Sequence, residues 1–242
     1  MITKSDTSII EDALTPLDLE ARLVWLASRF AEMGAFSSSL GIEDQVISHI
    51  LFSKALPLRV FTIDTGRLFE ESQSLLSLTR ERYGATIEVF TPNSDNLQNY
   101  LNAHGPNAFY QSVDLRLACC HIRKVEPLKR ALQGSEAWIT GLRGGQSANR
   151  AGIPVAQWDP DHSLVKVNPL FDWDELSIKE YVHTHNIPIN RLHGKGFPSI
   201  GCAPCTRAVA PGDNPRAGRW WWENPNKKEC GLHLHSGENF SA

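Results

Sequence analysis

The sequence predicts an α/β fold in which helices flank a mainly parallel, twisted sheet. Several short apolar runs have the length of buried strands. They lie at residues 35–36, 58–63, 86–90, 137–140 and 164–167. Between most of them are longer segments whose apolar residues recur at helical spacing. These segments lie at residues 43–55, 68–83, 121–132 and 174–185. Strands that alternate with helices in this way are typical of parallel sheets with helical crossovers.

The ends of the chain differ from its centre. Residues 1–15 are polar and acidic, and we expect them to form a flexible leader. A helical pattern then begins at Thr15-Pro16. We expect one α/β domain over residues 16–205. Periodicity fades towards the end of the chain, and we expect residues 206–242 to be an irregular segment wrapped over the site.

The composition is that of an ordinary globular protein. Of 242 residues, 41% are hydrophobic, and the formal net charge is -3. This charge gives no reason to expect nucleic acid or an anionic membrane as a partner. No apolar run reaches the ~18 residues of a membrane span, and the N-terminus lacks the pattern of a signal peptide. We therefore expect a cytoplasmic protein, whose five cysteines favour metal binding or catalysis over disulfides.

Four of the cysteines form two close pairs, Cys119-Cys120 and Cys202-x-x-Cys205. Adjacent side chains on a regular helix diverge by ~100°, so Cys119 and Cys120 share one centre only at a bend or around a multi-atom cluster. Four thiolates saturate a four-iron, four-sulfur cluster, and a structural zinc ion is the second candidate. A redox pair at Cys202 and Cys205 would leave the other two unexplained. The fifth, Cys230, stands near His233 and is a candidate nucleophile.

Three polar turns follow predicted strands and indicate a nucleotide site. The first, at residues 36–44, combines three serines with Gly41 at the start of a predicted helix, which is a natural cradle for an anion. The second is Asp64-Thr65-Gly66-Arg67, and the third spans residues 140–147 with an arginine just beyond it. Strand ends of a doubly wound sheet line the ligand crevice. The candidate substrate-binding residues in these turns are Ser37, Ser38, Ser39, Asp64, Arg67, Arg143 and Arg150.

Together, these motifs resemble the sulfonucleotide reductases of sulfate assimilation. The resemblance covers about residues 36–233 and is closest to the bacterial iron–sulfur reductases of adenosine 5′-phosphosulfate (APS). It implies an adenine-nucleotide α-hydrolase-like fold and a [4Fe–4S] cluster on the four paired cysteines. Reductases of the 3′-phosphorylated substrate (PAPS) generally lack this quartet.

The resemblance also implies a mechanism. Cys230 attacks the sulfate sulfur, AMP leaves, and a separate dithiol protein such as thioredoxin or glutaredoxin releases sulfite from the S-sulfocysteine. We expect the donor to be separate because no thioredoxin-like domain follows. A thiolate that approaches an anionic sulfate needs neutralising cations. The residues that match the phosphosulfate-binding positions of the family are Lys124, Arg216, Arg219 and His233.

Three alternatives stay open at this level. The first is a PAPS reductase, against which the cysteine quartet argues. The second is an ATP-using thiolation enzyme with structural zinc, but the serine turn lacks the Gly-Gly pair of such enzymes. The third is a zinc-stabilised binding module, which would leave Cys230 without a purpose. Gly144-Gly145 stands where the family usually has charge, and a homo-oligomer is compatible with the sequence.

Overall fold

The structure is a computed structural model, and it describes residues 2–146, 150 and 152–223. Within these ranges, six strands form one sheet in the order β3-β2-β1-β4-β6-β5. The strands are β1 Gly34–Ser37, β2 Arg59–Ile63, β3 Glu88–Phe90, β4 Ala137–Ile139, β5 Ala156–Asp159 and β6 Leu164–Val167. The α-helices are α1 Asp6–Leu14, α2 Leu19–Phe30, α3 Ile42–Ser53, α4 Glu70–Tyr83, α5 Ser94–His104, α6 Val113–Cys120, α7 Glu126–Ala131 and α8 Glu175–Thr184.

The centre of the sheet is parallel, which confirms the predicted fold class. Strand β1 pairs in parallel with β2 and β4, and β4 pairs in parallel with β6. Phe36 lies opposite both Val60 and Ile139 in this register. Every residue of β4 and β6 is buried, as expected for parallel strands covered on both faces. The edge strand β5 is antiparallel to β6 and was not predicted.

The N-terminal residues differ from the expected flexible leader. Residues 6–14 form helix α1, in which Ile10 and Leu14 are only 3% and 0% exposed. The buried guanidinium of Arg22 donates a hydrogen bond to the backbone oxygen of Leu14 and two 2.7 Å bonds to Asp172. Two apolar residues one helical turn apart are enough to dock this short helix onto the hydrophobic core.

The chain divides into two compact units, each made of several segments. The first unit comprises the described residues up to Thr62, Glu70–Glu88 and the described part of Gly134–Arg191. The second comprises Ile63–Phe69, Val89–Gln133 and the described residues from Leu192 onward. This division differs from the expected boundary after residue 205. No helix within the described ranges has the length and apolar character needed to cross a bilayer.

Truncation of Leu14 tests whether α1 belongs to the core. Leu14→Ala removes a fully buried side chain and is expected to lower the free energy of unfolding by about 2–5 kcal/mol. The matched control is Ile9→Ala on the same helix, where the side chain is 65% exposed and the expected change is within about 0.5 kcal/mol. Urea denaturation followed by circular dichroism measures both. Equal stability of the two variants would show that α1 is only loosely docked.

Candidate functional site

The four paired cysteines line one cavity in the second unit. Its empty volume is about 380 Å³, including the part open to solvent. Cys120, Cys202 and Cys205 are each 8% exposed, and Cys119 is half-buried. The residues that line the cavity are Arg67, Phe109, Arg116, Cys119, Cys120, Arg123, Lys124, Cys202, Pro204, Cys205 and Trp220. The structure therefore brings together two cysteine pairs that lie about 80 residues apart in the chain.

One wall of the cavity is a helix that changes its winding. Helix α6 ends at Cys120 and continues directly into a π-helical turn at His121–Val125. The wider π turn alters the side-chain directions just after the two cysteines, and such turns are frequent at functional sites. Both cysteines line the cavity, and this irregularity follows them directly. The same turn presents Lys124 to the cavity.

The cavity is also lined by the Cys202-x-x-Cys205 turn, which contains a short 3₁₀ helix at Ala203–Cys205. The backbone N–H of Cys205 donates to the Cys202 oxygen at 2.9 Å and closes the turn. The backbone N–H of Ala203 donates to the Arg67 oxygen at 2.8 Å. This bond fastens the cysteine turn to the segment that follows β2.

The Asp64-Thr65-Gly66-Arg67 turn therefore lies beside the cysteines. The Thr65 hydroxyl is 3.3 Å from the Cys202 sulfur, and the Thr65 backbone oxygen accepts a 2.6 Å bond from Arg123. The Asp64 side chain accepts from the backbone N–H of Gly66 at 2.8 Å, where a positive φ of 68° suits glycine. The Arg67 guanidinium donates to the Pro106 oxygen at 2.6 Å. The structure thus places Arg67 on the wall of the cysteine cavity.

The cysteines are buried among cations. The pKa of the Cys205 thiol is raised to about 12, chiefly by burial and also by Cys202 and Cys120, while Lys124 and Arg219 oppose the shift. Burial also raises the pKa of Cys119, against the opposing effect of Arg123. A metal that takes these sulfurs as ligands must displace their protons.

The donor set has the chemistry of a thiolate metal centre. Four sulfur donors that share one cavity suit soft metal ions or iron–sulfur clusters. Within the described ranges, no three His, Cys, Asp or Glu side chains are grouped as ligands of one metal ion.

The predicted phosphosulfate cations have different surroundings. Lys124 lies at the cysteine cavity. Arg219 is 6% exposed, and its guanidinium stacks 4.7 Å from the ring centre of Trp220. A β-carbon on Gly201 would come within 2.3 Å of that guanidinium, so Gly201 leaves the space that Arg219 occupies. The backbone oxygen of Arg216 accepts a 2.9 Å hydrogen bond from the backbone N–H of Arg219, and Arg216 lies in a turn, not on a helix. Cys230 and His233 lie outside the described residues.

The serine turn of the first unit is internally hydrogen-bonded. The Ser37 hydroxyl accepts a 2.7 Å bond from the Trp138 indole, and the Ser38 hydroxyl accepts from the backbone N–H of Leu40. Both the backbone N–H and the hydroxyl of Ser39 donate to the buried carboxylate of Asp44 at 2.6 Å. Because Asp44 lies in the first turn of α3, it ties the serine turn to the start of that helix. The serine hydroxyls already have protein partners. An anion bound here would therefore be held by backbone N–H groups, or by hydroxyls that leave their present partners.

The turn after β4 contacts the same helix start. The Arg143 guanidinium donates a 2.9 Å bond to Glu43, and both side chains are largely buried. A β-carbon on Gly141 would lie 2.0 Å from a carboxylate oxygen of Asp44, so only glycine permits this approach. The side chain of Gln146 bonds the Gly141 oxygen and the Arg150 guanidinium. Arg143 and Arg150 therefore have protein partners in this arrangement.

Several residues in these sites were not singled out from sequence. Arg116 and Arg123 stand three residues before Cys119 and three residues after Cys120, a helical spacing that could have indicated a shared face. Thr65 lies inside a predicted motif, but its approach to Cys202 depends on tertiary structure. Asp44 lies at the end of the predicted serine motif. An acidic residue in the first turn of a helix usually interacts with the helix dipole, so the sequence alone did not indicate its bonds to Ser39.

Comparison with known proteins gives one consistent group. A family model described as "Phosphoadenosine phosphosulfate reductase domain" matches residues 34–208. A relative from Agrobacterium fabrum, called adenosine 5′-phosphosulfate reductase, is 50% identical over 97% of this chain and 90% of its own length. A relative of the same name from Allochromatium vinosum is 46% identical over 96% of this chain and 91% of its own.

Two solved structures show the same fold. A phosphoadenylyl-sulfate reductase from Candida auris superposes with a TM-score of 0.73 at 24% identity, over 86% of this chain and 98% of its own. A yeast FAD synthetase superposes with a TM-score of 0.50 at 18% identity, over 85% of this chain and 75% of its own. These likenesses confirm the adenine-nucleotide α-hydrolase-like fold that the motifs implied.

Gly141→Ala tests the contact between the two turns of the first unit. The added β-carbon forces the Asp44 carboxylate aside, which disturbs Ser39 and the start of α3. We expect the dissociation constant for AMP, measured by calorimetry, to rise about tenfold or more. The matched control is Gly194→Ala, because nothing lies within 4 Å of that β-carbon. Unchanged affinity in the Gly141 variant would mean that these turns do not hold the nucleotide.

The buried carboxyl of Asp44 predicts a pH dependence of stability. Burial raises the pKa of Asp44 from 3.8 to about 6, although the bonds from Ser39 lower it. The folded protein therefore keeps this proton up to about pH 6, and the unfolded chain loses it near pH 4. Stability due to this group is present below about pH 4 and is lost as the pH rises to about 6, by about 3 kcal/mol.

Asp44→Asn removes this titration. The free energy of unfolding of this variant, minus that of the unmodified protein, is expected to increase by about 3 kcal/mol between about pH 4 and pH 7, because only the unmodified protein loses stability in this range. Denaturant titrations at several pH values measure the difference. Parallel stability curves for the two proteins would contradict the raised pKa of Asp44.

Proposed function

Because the chain belongs to the phosphoadenosine phosphosulfate reductase family, we propose that it reduces APS to sulfite and AMP in sulfate assimilation. Relatives that bear the name adenosine 5′-phosphosulfate reductase cover nearly the whole chain and support this substrate. The observation that carries the proposal is the convergence of Cys119, Cys120, Cys202 and Cys205 on one cavity lined by cations.

We assign a [4Fe–4S] cluster to this cavity. Each iron of such a cluster takes one thiolate, so the four cysteines supply a complete set of ligands. Adjacent cysteines suit a multi-atom cluster better than one tetrahedral ion, and the π turn after Cys120 supports their use as a pair. When bound, the cluster organises the site and tunes the electric field at the sulfate.

The first chemical step is assigned to Cys230, which lies outside the described residues. Its thiolate attacks the sulfate sulfur, a sulfur–sulfur bond forms, and the bond between that sulfur and the bridging oxygen breaks. AMP leaves with the bonding electron pair, and an S-sulfocysteine remains. The cysteine is separate from the metal-ligand quartet, so it is available as a nucleophile.

The second step needs a dithiol donor, which we propose to be thioredoxin or glutaredoxin. One donor thiolate attacks the Cys230 sulfur and expels sulfite, which leaves a mixed disulfide. The second donor thiol resolves that disulfide and regenerates the Cys230 thiol. The two electrons that reduce the sulfate sulfur therefore come from the dithiol. This chemistry suits the reducing cytoplasm, where we place the protein.

Cations offset the repulsion between the thiolate and the sulfate. We assign Lys124, Arg216, Arg219 and His233 to the phosphosulfate group. Lys124 is supported by its place on the cysteine cavity, and Arg219 by its hydrogen bonds to Ser199 and Ile200, just before the Cys202-x-x-Cys205 turn. Buried positive charge beside a developing anion is an effective form of transition-state stabilisation.

The nucleotide is assigned to the turns that follow the strands. In the first unit these turns contribute Ser37, Ser38, Ser39, Arg143 and Arg150. Their hydroxyls and guanidiniums already have protein partners, so we propose that they shape a cradle of backbone N–H groups. Asp64 and Arg67, in the second unit, are assigned to the substrate near the cysteines.

We further propose that APS is preferred over PAPS. The extra 3′-phosphate of PAPS needs additional cations, each charge-assisted contact contributing about 1.5–3 kcal/mol. Gly144-Gly145 stands where the family usually offers charge, and Arg143 already pairs with Glu43. The test compares kcat/KM for the two nucleotides with one thioredoxin at fixed ionic strength. Equal values, or a preference for PAPS, would support a PAPS reductase instead.

Two cysteine variants separate the metal centre from the nucleophile. Cys230→Ser is expected to abolish sulfite release while iron content and AMP affinity stay close to those of the unmodified protein. Cys202→Ser is expected to lose iron, activity and stability together, because a cluster that lacks one thiolate is labile. Normal turnover of the Cys230 variant would refute the assigned nucleophile. An iron-free Cys202 variant with full activity would refute the catalytic role of the centre.

A further inference from the structure

An ion pair in the second unit links helix α6 to the end of the described chain. Arg116 donates two hydrogen bonds to Glu223, at 2.9 and 2.8 Å, in a bidentate arrangement. The two side chains are only 2% and 3% exposed. Arg116 lies one helical turn before Cys119 and lines the cysteine cavity. One side chain therefore lies at the predicted metal site and also holds the segment that leads towards Cys230.

Trp220 strengthens this link. It is 1% exposed, and two guanidiniums contact its ring, those of Arg116 at 4.8 Å and Arg219 at 4.7 Å from the ring centre. Its backbone N–H donates to the Cys205 oxygen at 3.2 Å. The segment from Trp220 to Glu223 is thus attached both to helix α6 and to the Cys202-x-x-Cys205 turn.

The pair is too deeply buried to be an incidental surface contact. A charge in such a place is costly unless its partner is present, and the bidentate fork of arginine fixes orientation as well as distance. The two charges meet in this bidentate pair only when Glu223 lies against helix α6. The ion pair therefore defines where the segment that contains Glu223 is held.

Covalent geometry then limits the reach of the nucleophile. Cys230 follows Glu223 by seven residues. Seven residues of fully extended chain span at most about 25 Å, so a fixed Glu223 confines Cys230 to that distance. Confinement of a reacting group near its target raises the effective concentration and the rate of the step.

We propose that Arg116 and Glu223 are positioning residues that anchor the Cys230 segment to the cysteine site and so accelerate attack on the sulfate. The inference rests on the proposed function, because it takes Cys230 as the nucleophile. Neither residue touches the reacting atoms in this account. The pair acts on the first step, and not on nucleotide binding or on the later release of sulfite.

Glu223→Gln tests the anchor, because the amide keeps the size of the side chain and removes its charge. The holoenzyme is mixed with APS without a thiol donor, and S-sulfation of Cys230 is followed by mass spectrometry of quenched samples. We expect the rate per bound cluster to fall about tenfold or more. The AMP dissociation constant and the thioredoxin-dependent release of sulfite from preformed S-sulfo enzyme are expected to stay unchanged.

A second readout does not depend on turnover. A nitroxide label on Cys230 of the holoenzyme reports the mobility of the segment by electron paramagnetic resonance. We expect narrower lines in Glu223→Gln than in the otherwise unmodified protein. The matched control is Glu126→Gln, whose carboxylate pairs with Arg130 one turn along helix α7. This control is expected to match the unmodified protein in S-sulfation rate and line shape.

The outcomes are distinguishable. A Glu223→Gln variant with the unmodified rate and line shape would overturn the anchor, as would a loss of AMP affinity equal to the loss of rate. If the Glu223→Gln variant loses iron, the same measurements are made on Arg116→Lys. Lysine keeps the positive charge but cannot make the bidentate hydrogen bonds of arginine. Normal rate and line shape in iron-containing Arg116→Lys would also overturn it. No S-sulfation of Cys230 in the unmodified protein would instead refute the proposed function.

Discussion

The structure depends on the placement of four thiols, three of them buried, around one cavity in the second unit. Thiols that become metal ligands lose their protons, and buried negative charge is tolerated only beside compensating cations. The chain supplies most of these cations from helix α6 and the π turn that follows it. Arg116 precedes Cys119 on helix α6, Arg123 and Lys124 lie on the π turn, and Arg67 lines the same cavity. The same positive charges attract an anionic sulfate group. The cations that stabilise the buried sulfurs are therefore also suited to bind the substrate.

The first unit depends on a different interaction, in which one buried acid holds its serine turn in place. The Asp44 carboxylate draws the Ser39 backbone and hydroxyl towards the start of helix α3. Gly141 allows the turn after β4 to approach the same carboxylate. Two turns that are far apart in sequence are therefore organised by one buried acid. The serines that sequence analysis assigned to substrate are thus already part of an internal network.

The sequence predicted the fold class and the four-cysteine site because both have strong local signals. Apolar runs mark the buried parallel strands, and paired cysteines are rare without a purpose. Strand β5 was missed because Ala156–Asp159 includes polar residues and lies at an edge. Helix α1 was missed because only Ile10 and Leu14 anchor it among polar neighbours. The pair Arg116–Glu223 joins residues 107 positions apart, and no sequence pattern encodes such a contact.

The central claim is that sulfur passes through a covalent bond to Cys230 beside a cluster-bearing site. The most direct measurement mixes the iron-containing protein with APS labelled at the sulfate sulfur, in the absence of any thiol donor. The account predicts one equivalent of label on the peptide that contains Cys230, release of one equivalent of AMP, and discharge of the label as sulfite only when thioredoxin is added. Sulfite released without a donor, or AMP formed with no label on the protein, would contradict it.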